Sequence, residues 1–148
     1  ESGAEAIVIE DMTASPDFVN PKTYKEILFE YHKQIMKALS VPVVLHVCGN
    51  VTLIAEEMAR TEASALSIDP KATTQLMRRK VGNQISLVGG VDTTLLLDLD
   101  PQQIKEISLK ALKEGIDILA PGCAIPPDTP IENLKAMVQG AEEFESSS

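Results

Sequence analysis

The chain has 148 residues, is 44% hydrophobic but only 3% aromatic, lacks Trp, and carries a formal net charge of −9. That length holds one domain with a sizeable core, which must be built from Ile, Leu, Val, Ala and Met. The acidity, with Arg78-Arg79-Lys80 as the densest basic cluster, argues against nucleic acid and against an anionic membrane surface as partners.

No apolar run approaches the ~20 residues of a membrane span, and no signal-peptide pattern opens the chain. Two cysteines in such a chain point to a cytoplasmic protein with reduced thiols, with a Cys48–Cys123 disulfide as the alternative.

Glu1-Ser2-Gly3-Ala4 reads as the last turn of a helix with its glycine cap, followed by a strand from Ala6 to Ile9. Glu10-Asp11 end that strand, and Met12 to Val19 form a loop. Asn20 caps a helix with Pro21 at its first position. Tyr24, Ile27, Leu28, Tyr31 and Ile35 form its apolar stripe, while His32, among charged neighbours, reads as a solvated surface residue. The second strand is Val43 to Val47, and a helix follows from about Thr52 to Arg60.

The third strand, Ala65 to Ile68, stops at Asp69-Pro70, where Asp69 caps a helix over Lys71 to Val81. Ile85 to Val88 is the fourth strand and runs into Gly89-Gly90-Val91-Asp92. A loop carrying Leu95, Leu96 and Leu97 leads to an approximate capping box, Asp100 and Gln103, whose helix ends at Gly115. The fifth strand is Ile116 to Ala120. Thr129-Pro130-Ile131-Glu132 is a capping box for a final helix through about Phe144, and Ser146 to Ser148 are expected to be disordered. Five short, wholly apolar strands alternating with helices predict an α/β fold with a parallel sheet, either a (β/α) barrel or a doubly wound sheet. Neither a Gly-x-Gly-x-x-Gly nor a Walker-type loop follows any strand.

Every strand closes on a titratable group: Glu10 and Asp11, His46 and Cys48, Asp69, Asp92, then Cys123. His46 and Cys48 are two apart at a strand end, so their side chains share a face. Cys123, 75 positions after Cys48, follows another apolar run, Ile116 to Ala120, which Pro121-Gly122 ends. One imidazole and two thiolates are soft ligands suited to Zn²⁺, and three protein ligands leave a fourth position open, as in catalytic zinc sites. The alternatives stay open: the three are buried core residues, Asp69 is only a helix cap, and Asp92 is only a turn residue. Of Glu10 and Asp11, one should face inward.

His46-x-Cys48-Gly49-Asn50, taken with Pro121-Gly122-Cys123-x-Ile125-x-Pro127-x-Thr129-Pro130-x-Glu132-Asn133-Leu134, resembles the methylcobalamin:coenzyme M methyltransferases of the uroporphyrinogen decarboxylase superfamily. Ser67-Ile68-Asp69 and Gly90-Val91-Asp92 also fit, whereas Gly89-Gly90 stands where Gly-Asn is usual. The resemblance runs from Ala4 to about Val138. It implies about the last five βα units of a (β/α)8 TIM barrel over 1–145, with parallel strands and outer helices. It further implies zinc held by His46, Cys48 and Cys123, a small thiol such as coenzyme M in the open position, and a methylated corrinoid, with its corrinoid protein, as methyl donor.

Glu10, Asp11 and Asp69 are then candidates for the partner of His46 or for a resting fourth ligand. Two open strand edges lead us to expect self-association. A decarboxylase-like tetrapyrrole site without metal, and a non-catalytic zinc-stabilised module, are the competing functions.

Overall fold

A computed structural model describes residues 3–147. Five parallel strands form one sheet in the order β1-β2-β3-β4-β5, each pairing with its successor in the chain. They are β1 (Ile7–Glu10), β2 (Val43–Val47), β3 (Ala65–Ile68), β4 (Ser86–Val91) and β5 (Ile118–Pro121). A doubly wound sheet reverses strand order at a switch point. This sheet does not, so the architecture is an arc of a (β/α) barrel. Each of β1 and β5 has a strand neighbour on one side only, and Val8 and Ile118 lie 58% and 51% exposed on these edges. The expected helical turn at Glu1-Ser2 lies outside the described residues, as does Ser148.

Leu45, Val47, Leu66, Ile68 and Leu87 are buried beneath the helices, sharing one core with Met58 and Met77. The helix after β1 begins as expected, with Asn20 Oδ1 accepting from the Thr23 N–H at 2.9 Å. It then runs through α1 (Pro21–Thr23), a π-helical turn (Tyr24–Leu28) and α2 (Phe29–Ala38). The π turn holds one extra residue and so rotates everything after it. Tyr24, His32 and Met36 consequently face the core, whereas Ile27, Tyr31 and Ile35 are exposed. The predicted stripe is therefore only partly internal, and His32, expected on the surface, is 3% exposed.

Other boundaries move for local reasons. The segment after β2 is a 3₁₀ turn (Val51–Leu53) followed by the short α3 (Ala55–Ala59). α4 spans Thr74–Val81, three residues later than expected, because Asp69 caps a turn through the Lys71 N–H at 2.8 Å rather than the helix itself. The expected loop after Asp92 is a helix, α5 (Thr93–Asp98), with Asp92 as its cap. The Asp100–Gln103 capping box forms as read and opens α6 (Pro101–Lys113). The other box does not form: α7 (Ile131–Ser147) starts late enough that the buried Thr129 hydroxyl has no hydrogen-bond partner. α7 also continues through Ser146 and Ser147, where disorder was expected; their hydroxyls donate to the carbonyls of Glu143 and Phe144.

One clasp closes the N-terminal ends of β4 and β5. The Arg78 guanidinium donates to the carbonyls of Gly82, Ile85 and Gly115 and pairs with Asp117, whose carboxylate also accepts the Leu87 N–H at 2.7 Å. Each of these partners lies at the end of the strands opposite Cys48 and Cys123. No helix among the described residues is long and apolar enough to cross a membrane.

Candidate metal centre

β2 carries His46 and delivers Cys48 one residue past its end; β5 delivers Cys123 two residues past its own. Parallel register places His46 beside Glu10 of β1 and Ser67 of β3. His46 is nearly buried at 4% exposure, Cys48 is half-buried and Cys123 is exposed, so the group grades from core to solvent. Two backbone features bring Cys123 across. The Gly122 N–H donates to the Val91 carbonyl at 2.8 Å, and Gly122 lies against Pro70 with no room for a side chain.

The ligand atoms of His46, Cys48 and Cys123 all lie within 4.8 Å of one another. His46 Nε2 is 3.3 Å from Cys48 Sγ, which is 3.9 Å from Cys123 Sγ. A disulfide needs about 2.05 Å between sulfurs, so both thiols are free. Two sulfurs about 2.3 Å from a tetrahedral Zn²⁺ would stand roughly 3.8 Å apart, close to the spacing observed. The donor set therefore fits zinc in both chemistry and size.

The tautomer of His46 fits as well. Its Nδ1 faces the Ser67 carbonyl at 3.2 Å and the Ser67 hydroxyl at 3.0 Å. A carbonyl only accepts, so Nδ1 carries the proton and Nε2 turns its lone pair toward the thiols. Ser67 is thus the orienting partner that metal-ligating histidines ordinarily have. By residue type alone the candidates for that partner are Glu10, Asp11 and Asp69. β-strand parity put Ser67 on the right face, but only the β2–β3 register sets it beside His46.

The three carboxylates divide. Glu10 shares the inner face with His46 and contributes negative charge at Cys48. Asp69 holds the turn after Cys48, its Oδ2 accepting the Gly49 N–H at 3.0 Å. Asp11 turns away. Its N–H donates to the His46 carbonyl at 3.0 Å, but its carboxylate pairs with His32 and with the loop that follows. It is not the partner of the His46 ring. Asp92 only caps α5.

Burial pushes the Cys48 thiol up to about 11, helped by its contact with Cys123 and by the negative charge of Asp69 and Glu10. Such a thiol keeps its proton until a cation takes its place.

The model of the uroporphyrinogen decarboxylase family matches residues 1–144. The chain belongs to that family. Within it, the methylcobamide:CoM methyltransferase MtaA of Methanosarcina barkeri (strain Fusaro) is 38% identical over 146 residues, covering 97% of this chain and 43% of the relative. The methylcobamide:CoM methyltransferase MtbA of Methanosarcina acetivorans is 35% identical over 148 residues, with the same 97% and 43% coverage. A solved methyltransferase from Methanosarcina mazei superposes with a TM-score of 0.93 at 37% identity, covering 97% of this chain and 43% of that one. The chain thus spans less than half the length of the relatives it matches, and its five strands are an arc of a TIM-barrel fold.

Proposed function

We propose that the protein carrying this chain is a zinc-dependent methyltransferase that moves a methyl group from a methylated corrinoid to a small thiol such as coenzyme M. The convergence of His46, Cys48 and Cys123 within 4.8 Å at the C-terminal strand ends carries the reading. In a (β/α) barrel that face is where catalytic groups gather. Relatives named methylcobamide:CoM methyltransferases, 35–38% identical, support the donor and acceptor classes.

Zn²⁺ held there would supply Lewis-acid chemistry, letting a thiol whose ordinary pKa is about 8.5 react as thiolate at neutral pH. The chain's own residues prepare the place. Ser67 fixes the His46 ring so that Nε2 points at the thiols. Asp69 and Gly122 hold the Cys48 and Cys123 turns at their spacing. The graded burial leaves the Cys123 side open for the substrate thiol. In the transfer, the thiol would release its proton to solvent on binding the metal, and its sulfur would form the bond to the methyl carbon. The cobalt–carbon bond of the corrinoid substrate would break with its electron pair left on cobalt, taking Co(III) to Co(I), and a thioether would leave.

A metal-free decarboxylase site and a merely structural zinc site predict different results. The test is elemental analysis together with loss of methylcobalamin absorbance on adding coenzyme M. The whole polypeptide should contain one zinc and turn over, and His46→Ala should abolish turnover. The 148-residue chain alone should bind zinc and thiol yet transfer methyl groups hardly above background. The reason is that holding reactants in line is worth up to ~10⁵–10⁸ M in effective molarity, and that positioning needs the rest of the barrel mouth. A metal-free, inactive whole polypeptide would overturn the proposal.

We place the protein in the cytoplasm, since two thiols 3.9 Å apart would invite a disulfide in an oxidising compartment. A corrinoid protein is the partner that would present the donor. The isolated chain should self-associate through the open edges at β1 and β5, and a monomer by light scattering at high micromolar concentration would contradict this.

A further inference from the structure

The loop between β1 and α1 touches the metal-ligand turn, and its anchor is a chain of three side chains for which the methyl-transfer chemistry has no use. Asp11 opens the loop. Its Oδ1 accepts from the Thr13 N–H at 3.0 Å, the Thr13 hydroxyl at 2.7 Å and the Ala14 N–H at 3.1 Å. Its Oδ2 lies 3.1 Å from His32 Nε2, and His32 Nδ1 lies 3.0 Å from the Tyr24 hydroxyl. Tyr24 is fully buried and His32 is 3% exposed. Burial pushes the Tyr24 phenol well above its ordinary range, so it keeps its proton. The phenol then donates to Nδ1, and Nε2–H donates to the carboxylate.

Polar groups withdrawn from water cost free energy unless paired, and an apolar side chain at position 32 would fill the same space without that cost. What the pairing determines is the seat of the loop. Ser15 is 1% exposed, and Ser15 Oγ and Asp17 Oδ2 stand where a side chain on Gly49 would project, 2.6 and 2.8 Å from such a Cβ. Gly49 has φ +81°, and it immediately follows Cys48. On its other side the Gly49 N–H is held by Asp69, and Lys71 pairs with Asp17 at 3.3 Å. The turn that carries Cys48 is therefore gripped between the loop and the end of β3.

We propose that Tyr24, His32 and Asp11 form a positioning relay: they fix the loop, the loop fixes the Cys48–Gly49 turn, and the turn sets where Cys48 Sγ stands relative to His46 Nε2 and Cys123 Sγ. None of the three touches metal or substrate. The inference rests on the metal-site reading above.

The test loads the whole polypeptide with Co²⁺, whose thiolate charge-transfer and visible bands report ligand geometry, and measures Kd by competition with a chelator. Residues in contact with a metal ligand typically change affinity 10–100-fold when removed. Acting one step further out, His32→Leu should raise Kd roughly threefold to tenfold and shift the visible bands. The isosteric Tyr24→Phe should do the same more weakly, and it decides the matter alone if His32→Leu fails to fold. Arg78→Lys, which loosens the clasp at the opposite strand ends, should lower Tm and leave the bands in place. Wild-type Kd and bands in both relay variants would overturn the relay. So would Arg78→Lys shifting the bands as far as His32→Leu, since that would mean general loosening. A wild-type protein that binds no Co²⁺ would instead overturn the metal site, and the relay with it.

Discussion

His32 and His46 are both buried, yet they are wired in opposite senses. His32 has a partner on each ring nitrogen, the Tyr24 hydroxyl on Nδ1 and Asp11 on Nε2. His46 has its Nδ1 occupied by Ser67, and its Nε2 faces, among the described residues, only the Cys48 thiol, which forms no disulfide. The first arrangement is closed, with each donor matched to an acceptor of this chain. The second is open, a lone pair and two sulfurs converging on a point. A closed network holds a conformation, and an open one has capacity left for a ligand. The two meet at Gly49, gripped from the His32 side by Ser15 and Asp17 and joined through Cys48 to the His46 side.

The largest effect should come from breaking the open side. Cys48→Ser or Cys123→Ser should cost most of the metal, at least about a hundredfold in affinity, because thiolate is the ligand that holds soft metals. Unchanged zinc by elemental analysis in both variants would mean the site is elsewhere. Next is the joint. Gly49→Ala forces a left-handed φ on a residue with a side chain and drives that side chain into Ser15 and Asp17. It should cost about 2 kcal/mol in urea unfolding and weaken metal binding as well.

Ser67→Ala sharpens the contrast from the open side. It removes the hydroxyl but leaves the Ser67 carbonyl for Nδ1–H, so zinc affinity should fall by about tenfold, near the lower end for an orienting partner. Isothermal titration measures it, and an unchanged Kd would assign the orientation of His46 to the carbonyl alone.

The smallest effect belongs to the closed side and is read against pH. Burial pushes the Asp11 carboxyl up, but hydrogen bonds from Thr13, His32 and the Ala14 N–H outweigh it and leave the group below its ordinary 3.8. A carboxylate with a lowered folded pKa stabilises above its unfolded value and loses that contribution as pH falls through the folded one. The Tm difference between wild type and Asp11→Asn should accordingly be constant above about pH 5 and shrink below pH 4. A difference that stays constant down to pH 2 would mean Asp11 is not held as a carboxylate.

The same contrast separates what was legible in the sequence from what was not. The open side was legible because its residue types are rare and its spacing local. A His and a Cys two apart at the end of an apolar strand share a face by β parity alone, and Pro121-Gly122 ends the run that brings Cys123. The five strands, the Asn20 and Asp100 caps and the α/β alternation were legible for the same reason, since each rests on neighbours within a few positions. The closed side was not legible. Whether His32 faces water or core depends on a single extra residue in the π turn at Tyr24–Leu28, which rotates the helix so that His32 and not Tyr31 points inward.

Nor could composition show that Asp11, 21 positions from His32, would meet it, or that Ser67 and not a carboxylate would orient His46. The amino-acid sequence by itself determined the order of the five strands and singled out His46, Cys48 and Cys123 as candidate ligands, because local periodicity and donor chemistry are properties of short segments. Strand register, helix rotation and the seating of the β1–α1 loop on Gly49 were decided only by the tertiary structure, because each depends on contacts between segments far apart in the chain.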